Sequence, residues 1–538
     1  MIDTQSCCFL FHLTPPPDFG GNPLLLVSDV ERKVHIATLE EVSEVKRPIV
    51  THSFSLLVDW FRIRGLPLPE QVVDLEVAKK LLDGRPKSDF GIERPWDMHS
   101  MFQRFVHTRY DSKRVRASLA THLAKPPISD FANLRWMAAI ATGMGTLWRE
   151  ILAELEAKGE LGRFLNVEVP AYNVMLASQY RGIRLDAHRR DTLMELLEEN
   201  YVSAHHQLAI GKGMDVERAL ADLQYLSGYL IHPIQYADEF ADVPQLINSR
   251  KDFDPICAVL NDVANARRNR SILLRSIGND AEFCYPVFDT MGTVTGRILA
   301  VDPQLQHLAK KYRSIIRARD GQKLVYVDYS QFEPNIMSSI SKDPELLALC
   351  NKGDLYERMA VELCGDPKYR KTVKLMFLAY SYGKQIATLS DFLISILGTR
   401  ERSEAMINEH FVPLFAGIEK WKLGVGEELA KAGRIGTLDG NYRYRVGKGD
   451  LEPKERRWSI SQVVQGTGSL ILKNLINTLA VTLPDVAVLL PMHDALLVEV
   501  PENRAAEVTT ALLECCRKVF SGVCPLVTPF VCEKPFAE

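Results

Sequence analysis

At 538 residues the chain is too long for one hydrophobic core and implies three or four domains or subdomains. Its 46% hydrophobic and 25% charged residues fit a soluble globular protein, while a formal net charge of −3 excludes a globally basic nucleic-acid binder and leaves only local basic clusters. Ten cysteines without CxxC or zinc spacing, no apolar run near 20 residues and no basic leader predict reduced thiols in a cytoplasmic protein, with no membrane span. Residues 7–13 read as a strand, followed by a Pro15-Pro16-Pro17 turn and a hairpin-like pair at 24–27 and 33–37. Asp29-Val30-Glu31 falls in the polar turn of that hairpin. Helical patterning dominates from there to about residue 165, and no internal repeat interrupts it.

Residues 180–186 (YRGIRLD) lead into a helical stretch that runs to about 280 and closes in the basic helix ANARRNRSILLRS at 264–276. Arginines such as Arg267, Arg268 and Arg270, like those of 310–319 (KKYRSIIRAR), suit phosphates better than bases. A solvated helix face accounts for them equally well. Residues 324–330 (LVYVDYS) form a short apolar run ending in one acid, which suits a strand buried on both faces with Asp328 held at the sheet edge. Alone, Asp328 would pass for a strand-end turn residue. Far down the chain, residues 486–500 (VAVLLPMHDALLVEV) read as a hairpin with His493-Asp494 at its bend. Side by side in one sheet, these elements would hold Asp328 and Asp494 within reach of the same metal ions, the donor set that two-metal phosphoryl transfer needs. Between them, Arg370, Lys374, Leu378 and Tyr382 recur every four residues and so line one helix face. Arg457, Ser461 and Gln465 share a face in the same way.

The motifs DYSQFE (328–333), R-x3-K-x7-YG (370–383) and MHDALLVEV (492–500), in this order, resemble motifs A, B and C of family A DNA polymerases, the class of bacterial DNA polymerase I. Thr295-Gly296-Arg297, DPQLQ (302–306) and QVVQGT (462–467) extend the resemblance over roughly residues 165–538. It implies a mixed α+β right-hand polymerase, with an antiparallel palm sheet and helical fingers and thumb, preceded by an RNase H-like α/β exonuclease-type domain. The expected bounds are 1–165 for the exonuclease-like part and 166–538 for the polymerase. Within the latter the thumb spans about 186–280, the palm about 281–344 and 451–538, and the fingers about 345–450. By the same resemblance the chain adds dNTPs to a primer 3′ end on template DNA as a monomer, using two Mg²⁺ for which Mn²⁺ can substitute. Asp328, Asp494 and the Tyr329 carbonyl would hold the metals. Arg370 and Lys374 would bind the triphosphate, with Lys374 as general acid toward pyrophosphate. Tyr356, Gln331, Glu333, Leu378 and Tyr382 complete the nucleotide site, Glu333 gating the ribose 2′-OH. Arg297, Gln304, Gln306, Arg457, Ser461, Gln465 and His493 would contact primer–template DNA.

Several positions depart from the family. Tyr356 stands where a histidine is usual, Gln304 and Ser461 where asparagines are, and Leu378 where an aromatic faces the sugar. Ala495 takes the place of a third carboxylate. In the exonuclease-like part the catalytic positions fall on Leu56, Trp136 and Ile140, which bind no metal, so a degenerate exonuclease without proofreading is expected. No 5′ nuclease segment is expected either. A single-subunit RNA polymerase is disfavoured by Glu333, and a non-catalytic DNA-binding paralogue by the retained aspartates and cations. A bacterial cell or a phage-infected host suits such an enzyme.

Overall fold

The computed structural model describes residues 7–14, 22–28, 33–84, 96–106, 111, 113–114, 131–231, 242–252, 254–277 and 282–537. The turn at Pro15-Pro16-Pro17 and the Asp29-Val30-Glu31 triplet lie outside them. The chain divides into two compact units: Met1–Arg181 with Phe288–Leu299 and Gly321–Lys534, and Gly182–Val287 with Ala300–Asp320 and Pro535–Glu538. No described helix is long and apolar enough to cross a membrane.

The first unit begins with a five-stranded sheet of β1 (Cys8–Leu13), β2 (Leu24–Ser28), β3 (Val34–Ala37), β4 (Ile49–Thr51) and β5 (Val72–Asp74), in the order β3-β2-β1-β4-β5. The near-continuous apolar sequence CFLFHL suits β1 to the middle, where it is antiparallel to β2 and parallel to β4. Helix α1 (Leu75–Leu82) starts where Asp74 caps it by accepting from the Glu76 N–H, and α2 (Phe131–Lys158) covers the sheet with Ile140 and Trp148 fully buried. One apolar cluster runs from Cys7 through Trp148 to Phe164, Tyr172 and Leu176, so it continues into α3 (Val169–Arg181) and crosses the boundary expected near residue 165.

The second unit holds a three-stranded sheet of β6 (Ile183–Leu185), β7 (Phe283–Cys284) and β8 (Ile316–Arg317), ordered β8-β6-β7. Two long helices, α4 (Ala187–Lys212) and α5 (Pro255–Arg275), start at aspartate caps Asp186 and Asp254 and share a core of Leu208, Leu260 and Val263.

The rest of the first unit carries β9 (Gln322–Tyr329), α6 (Phe332–Ser341), α7 (Leu355–Cys364), α8 (Arg370–Ser381), β10 (Arg434–Thr437), β11 (Gly440–Tyr444) and α9 (Pro453–Thr482). It closes with β12 (Ala487–Met492), β13 (Ala495–Pro501), α10 (Ala505–Val523) and β14 (Val531–Glu533). Strands β12, β13, β9 and β14, in that order, form an antiparallel sheet. Burial along β9 alternates, correcting the expectation of a strand buried on both faces. Val325, Val327 and Tyr329 face the core, where the Tyr329 ring packs on Phe332 and on Phe520 of α10, while Tyr326 and Asp328 face the half-open side. The strands buried along nearly their whole length are β12 and β13.

A buried ionic joint ties the chain's first third to this body. A π-helical turn, Phe164–Glu168, brings Arg163 and Glu168 into line, and Arg163 donates to Glu168 at 2.7 Å. Lys473 of α9 takes the other carboxylate oxygen at 2.5 Å, and all three side chains are 0% exposed. Beside it, Glu160 accepts the Asn441 and Tyr442 N–H groups of β11 at 2.9 and 2.8 Å. Gly440, at φ +68, is required there, because any Cβ would collide with the Glu160 carboxylate.

Candidate active site

Strands β9 and β13 are hydrogen-bonded neighbours with Asp328 opposite Ala495, and the Tyr329 N–H donates to the Asp494 carbonyl at 3.1 Å. Asp494 and His493 form the two-residue turn between β12 and β13, with His493 at φ +30. The two aspartates therefore sit at one sheet edge, on adjacent chain segments. The turn itself is exposed, yet the protein around it partly desolvates the Asp494 carboxyl. That burial, then the Asp328 charge, then Glu333, push its pKa up to about 6 against the pull of Lys374. Lys534, just past β14, places its Nζ 2.6 Å from Asp328 Oδ1.

Helix α8 packs Val373, Met376, Phe377 and Tyr380 into an aromatic core with Phe411 and Phe415. The opposite face consequently carries the four residues spaced at i, i+4, i+8 and i+12. Arg370 and Lys374 are exposed, Leu378 and Tyr382 half-buried. Arg370 clamps Asp354 Oδ2 through Nε and Nη2 at 3.0 and 2.6 Å. At the other end, Tyr382 donates its hydroxyl to Glu333 Oε2, and Arg297 donates to Glu333 Oε1 at 2.9 Å. Burial first, then the Glu333 charge, hold the Tyr382 phenol protonated well above its ordinary range. Gln465 of α9 also bonds Tyr382, and Gly383 lies against Arg457. The face Arg457, Ser461 and Gln465 thus runs beside the end of α8, with Arg457 exposed and the other two half-buried. Asp494 thus has Asp328, Glu333 and Lys374 within electrostatic range, and Glu333 is itself held between Tyr382 and Arg297. Such a set can hold hard cations, bind polyphosphate and test the shape of a sugar.

The model of DNA polymerase family A matches residues 248–533, more than half of the chain. The chain belongs to DNA polymerase family A. Among curated relatives, the thermostable DNA polymerase I of Thermus thermophilus is 25% identical over 427 residues, 73% of this chain and 50% of the relative. That of Thermus aquaticus is 29% identical over 273 residues, 47% of this chain and 32% of the relative. DNA polymerase I of Pseudomonas aeruginosa is 28% identical over 260 residues, 44% and 28% of the two chains. The chain thus spans half or less of the length of these relatives. A solved structure described as the "POL domain of Pol1 from M. smegmatis complex with DNA primer-template and dNTP" superposes with a TM-score of 0.77. The match covers 98% of this chain and 94% of that one at 18% identity, which shows a shared fold.

Within this family A chain several expected contacts take other forms. Tyr356, expected as a hydroxyl donor to the triphosphate, is only 3% exposed. Its ring lies under Arg370 and Lys374, each 5.7 Å from its centroid, and so supports the cations from below. Gln331, expected at the nucleotide, spends its amide on the chain: Nε2 donates to the Gly353 carbonyl at 3.0 Å and Oε1 accepts the Leu355 N–H at 2.7 Å. Gln306, expected at the DNA groove, is turned inward and accepts the Ala300 N–H at 2.9 Å. Gln304 remains exposed and lines a groove of about 460 Å³ in the second unit with Arg267, Arg268 and Arg275. Arg267 is paired there with Glu217 at 2.7 Å, and Arg270 with Glu198.

Of the three exonuclease positions, Leu56 is exposed, Trp136 half-buried under Arg114, and Ile140 fully buried. At the carboxyl ends of β1, β4 and β5 the structure has a polar knot that the sequence did not announce. Asp74 accepts from the Ser53 and Phe54 N–H groups and from Tyr172 Oη at 2.6 Å, while the Ser53 hydroxyl donates to Glu76 at 2.7 Å. Among the described residues no group of three or more His, Cys, Asp or Glu side chains is arranged to hold a metal ion. The Lys534–Asp328 and Arg297–Glu333 pairs were likewise missed. No local pattern marks either, since each depends on a fold that joins distant segments.

Proposed function

We propose that this chain is a template-directed DNA polymerase that adds dNTPs to a primer 3′ end, releases pyrophosphate and lacks 3′–5′ proofreading. The single observation that carries the reading is the adjacency of Asp328 and Asp494 across β9 and β13, in electrostatic contact with Lys374 of the cationic helix. Family membership and the shared polymerase fold support it.

The donor set fits two divalent cations. Both groups are hard carboxylates, and the Asp494 pKa, raised first by burial and then by repulsion from Asp328, is one that a bound dication would bring down. Asp328 and Asp494, with the Tyr329 carbonyl, would hold Mg²⁺ or Mn²⁺, which when bound would activate the primer hydroxyl and stabilise the leaving oxygen. The remaining chemistry falls to this chain. Arg370 and Lys374 would neutralise the triphosphate, their positions fixed from below by Tyr356. Lys374 would pass a proton to departing pyrophosphate. Glu333, braced by Arg297 and Tyr382, would present a fixed carboxylate where a ribonucleotide carries its 2′-OH. Leu378 would contact the sugar and Tyr382 the templating position. Arg457, Ser461, Gln465, His493 and the exposed Gln304 would contact primer–template DNA. The domain bounds near 165, 280, 344 and 450 are part of the same reading, with the N-terminal sheet as a degenerate exonuclease-like scaffold.

The test is primer extension by the purified chain and its Asp328→Asn and Asp494→Asn variants. Both variants should lose extension while retaining duplex binding, because phosphate contacts elsewhere persist. Extension near the wild-type level in either variant would overturn the assignment.

A further inference from the structure

The carboxyl edge of β9 has an unexpected neighbour. Register fixes it: Cys532 of β14 lies directly opposite Asp328, and the Lys534 N–H donates to the Tyr326 carbonyl at 2.9 Å. In an antiparallel ladder, paired residues share a face, and residues two apart on one strand share it too. Lys534 opposite Tyr326 therefore lies diagonally across from Asp328 on the same half-open face. A diagonal neighbour is about 7–8 Å away at Cβ, a span that a lysine stem bridges and a short side chain does not. Its ammonium reaches Asp328 Oδ1 at 2.6 Å, with the carboxylate 17% and the lysine 42% exposed. On the other side of Asp328, directly opposite it on β13, stands the buried methyl of Ala495. The strand flanks of Asp328 thus carry one cation and no further acid.

Resting on the polymerase reading above, we propose that Lys534 is a tethered counter-cation of Asp328. It occupies the carboxylate in the metal-free protein and must swing away for a divalent ion to load, so it sets the metal concentration at which the site fills. The stem is long and its head half-exposed, so the ammonium can move aside into solvent while its backbone stays pinned by β14. A cation competing for one oxygen of a two-carboxylate site weakens metal binding by the free energy of the pair it replaces. For a partly exposed pair this amounts to about two- to fivefold in affinity. An arginine at 534 would keep the charge and the competition; a methionine would keep the apolar stem and remove both.

The experiment is a Mn²⁺ titration of the full chain at neutral pH without DNA or dNTP, reading free Mn²⁺ by electron paramagnetic resonance. Lys534→Met should bind Mn²⁺ about two- to fivefold more tightly than wild type, Lys534→Arg should bind like wild type, and Asp328→Asn should lose the site. Thermal melting checks that the fold is kept, and Lys534→Gln serves in place of the methionine variant if that one melts early. In primer extension the half-saturating Mg²⁺ concentration should fall in the same variant. Unchanged or weaker Mn²⁺ binding by a folded, uncharged Lys534 variant overturns the proposal. If wild type and Asp328→Asn bind Mn²⁺ alike, the metal assignment of Asp328 itself is wrong and this inference falls with it.

Discussion

Glu168 is the hinge of the buried ionic joint, and replacing it with glutamine tests the joint directly. Burial by itself would raise the Glu168 pKa, but Lys473 and Arg163 together hold it below the ordinary carboxylate value. Glu168→Gln keeps the shape and takes the directly bonded carboxylate from a guanidinium and an ammonium, both 0% exposed, leaving them only the charges of Glu160 and Asp289. Breaking a buried ion pair in this way costs about 3–5 kcal/mol. The first unit has roughly 400 residues, for which an unfolding entropy of about 2.1 cal/mol/K per residue converts that loss into a fall of about 4–6 °C in Tm. Lys473→Met should cost less, because Arg163 and Glu168 remain as a neutral pair; the lost hydrogen bond to a charged group is worth about 1.5–3 kcal/mol. The sign with pH follows from the lowered pKa. The stabilisation is present above the unfolded value of about 4.3 and is lost as pH falls through the folded value, so wild type and Glu168→Gln should converge in acid. Calorimetric melting of both variants from neutral to acidic pH reads all of this. A Glu168→Gln loss below about 1 kcal/mol, or an equal loss in Lys473→Met, would refute the view that two cations depend on one carboxylate.

Four further outcomes are expected. Because the Asp494 carboxyl keeps its proton up to about pH 6 in the metal-free protein, Mn²⁺ affinity should level off above that pH and fall as pH drops below it; a flat profile between neutral and mildly acidic pH would remove Asp494 from the ligand set. Glu333→Ala should raise rNTP relative to dNTP incorporation by an order of magnitude or more, measured in single-nucleotide extension, and an unchanged ratio would locate the ribose gate elsewhere. Leu378→Tyr should increase dideoxynucleotide use, since a phenol can replace the missing 3′-OH as a hydrogen-bonding group, and equal use by both forms would show that this face of α8 does not meet the sugar. A 3′-mismatched primer incubated with Mg²⁺ or Mn²⁺ and no dNTP should stay full length on a sequencing gel; shortening that vanishes in Asp29→Ala would show an exonuclease after all.

What could be read from residues alone was whatever repeats with a local period. The helix face Arg370, Lys374, Leu378 and Tyr382 was legible because its spacing matches the helical turn, and the structure has those four residues on the side of α8 away from Phe377 and Tyr380. The hairpin around His493-Asp494 was legible from its two apolar runs. Pairing across long sequence separations was not. Asp328 meets Lys534 only through the β9–β14 register, and Arg297 meets Glu333 only through the fold, so neither leaves a trace in a window of neighbouring residues. Burial also misled. The family resemblance casts Tyr356 as a hydroxyl donor to phosphate, yet Phe377 packs edge-on against its ring and turns Tyr356 into a floor. The one-sided burial of β9 was missed because LVYV looks the same in a strand covered on one face as in one covered on both.

The apolar cluster that runs unbroken from β1 into α3 bears on how such a chain can evolve by rearrangement. Recombination exchanges parts cleanly where few contacts cross the cut. Here a cut near residue 165 would part Tyr172 and Leu176 from the cluster that buries them and would take from Asp74 the hydroxyl that Tyr172 donates from the far side of the joint. The N-terminal sheet is therefore not an accessory that can be shed. It is inherited as half of a shared interior, free to change its surface but held in place by what it packs against.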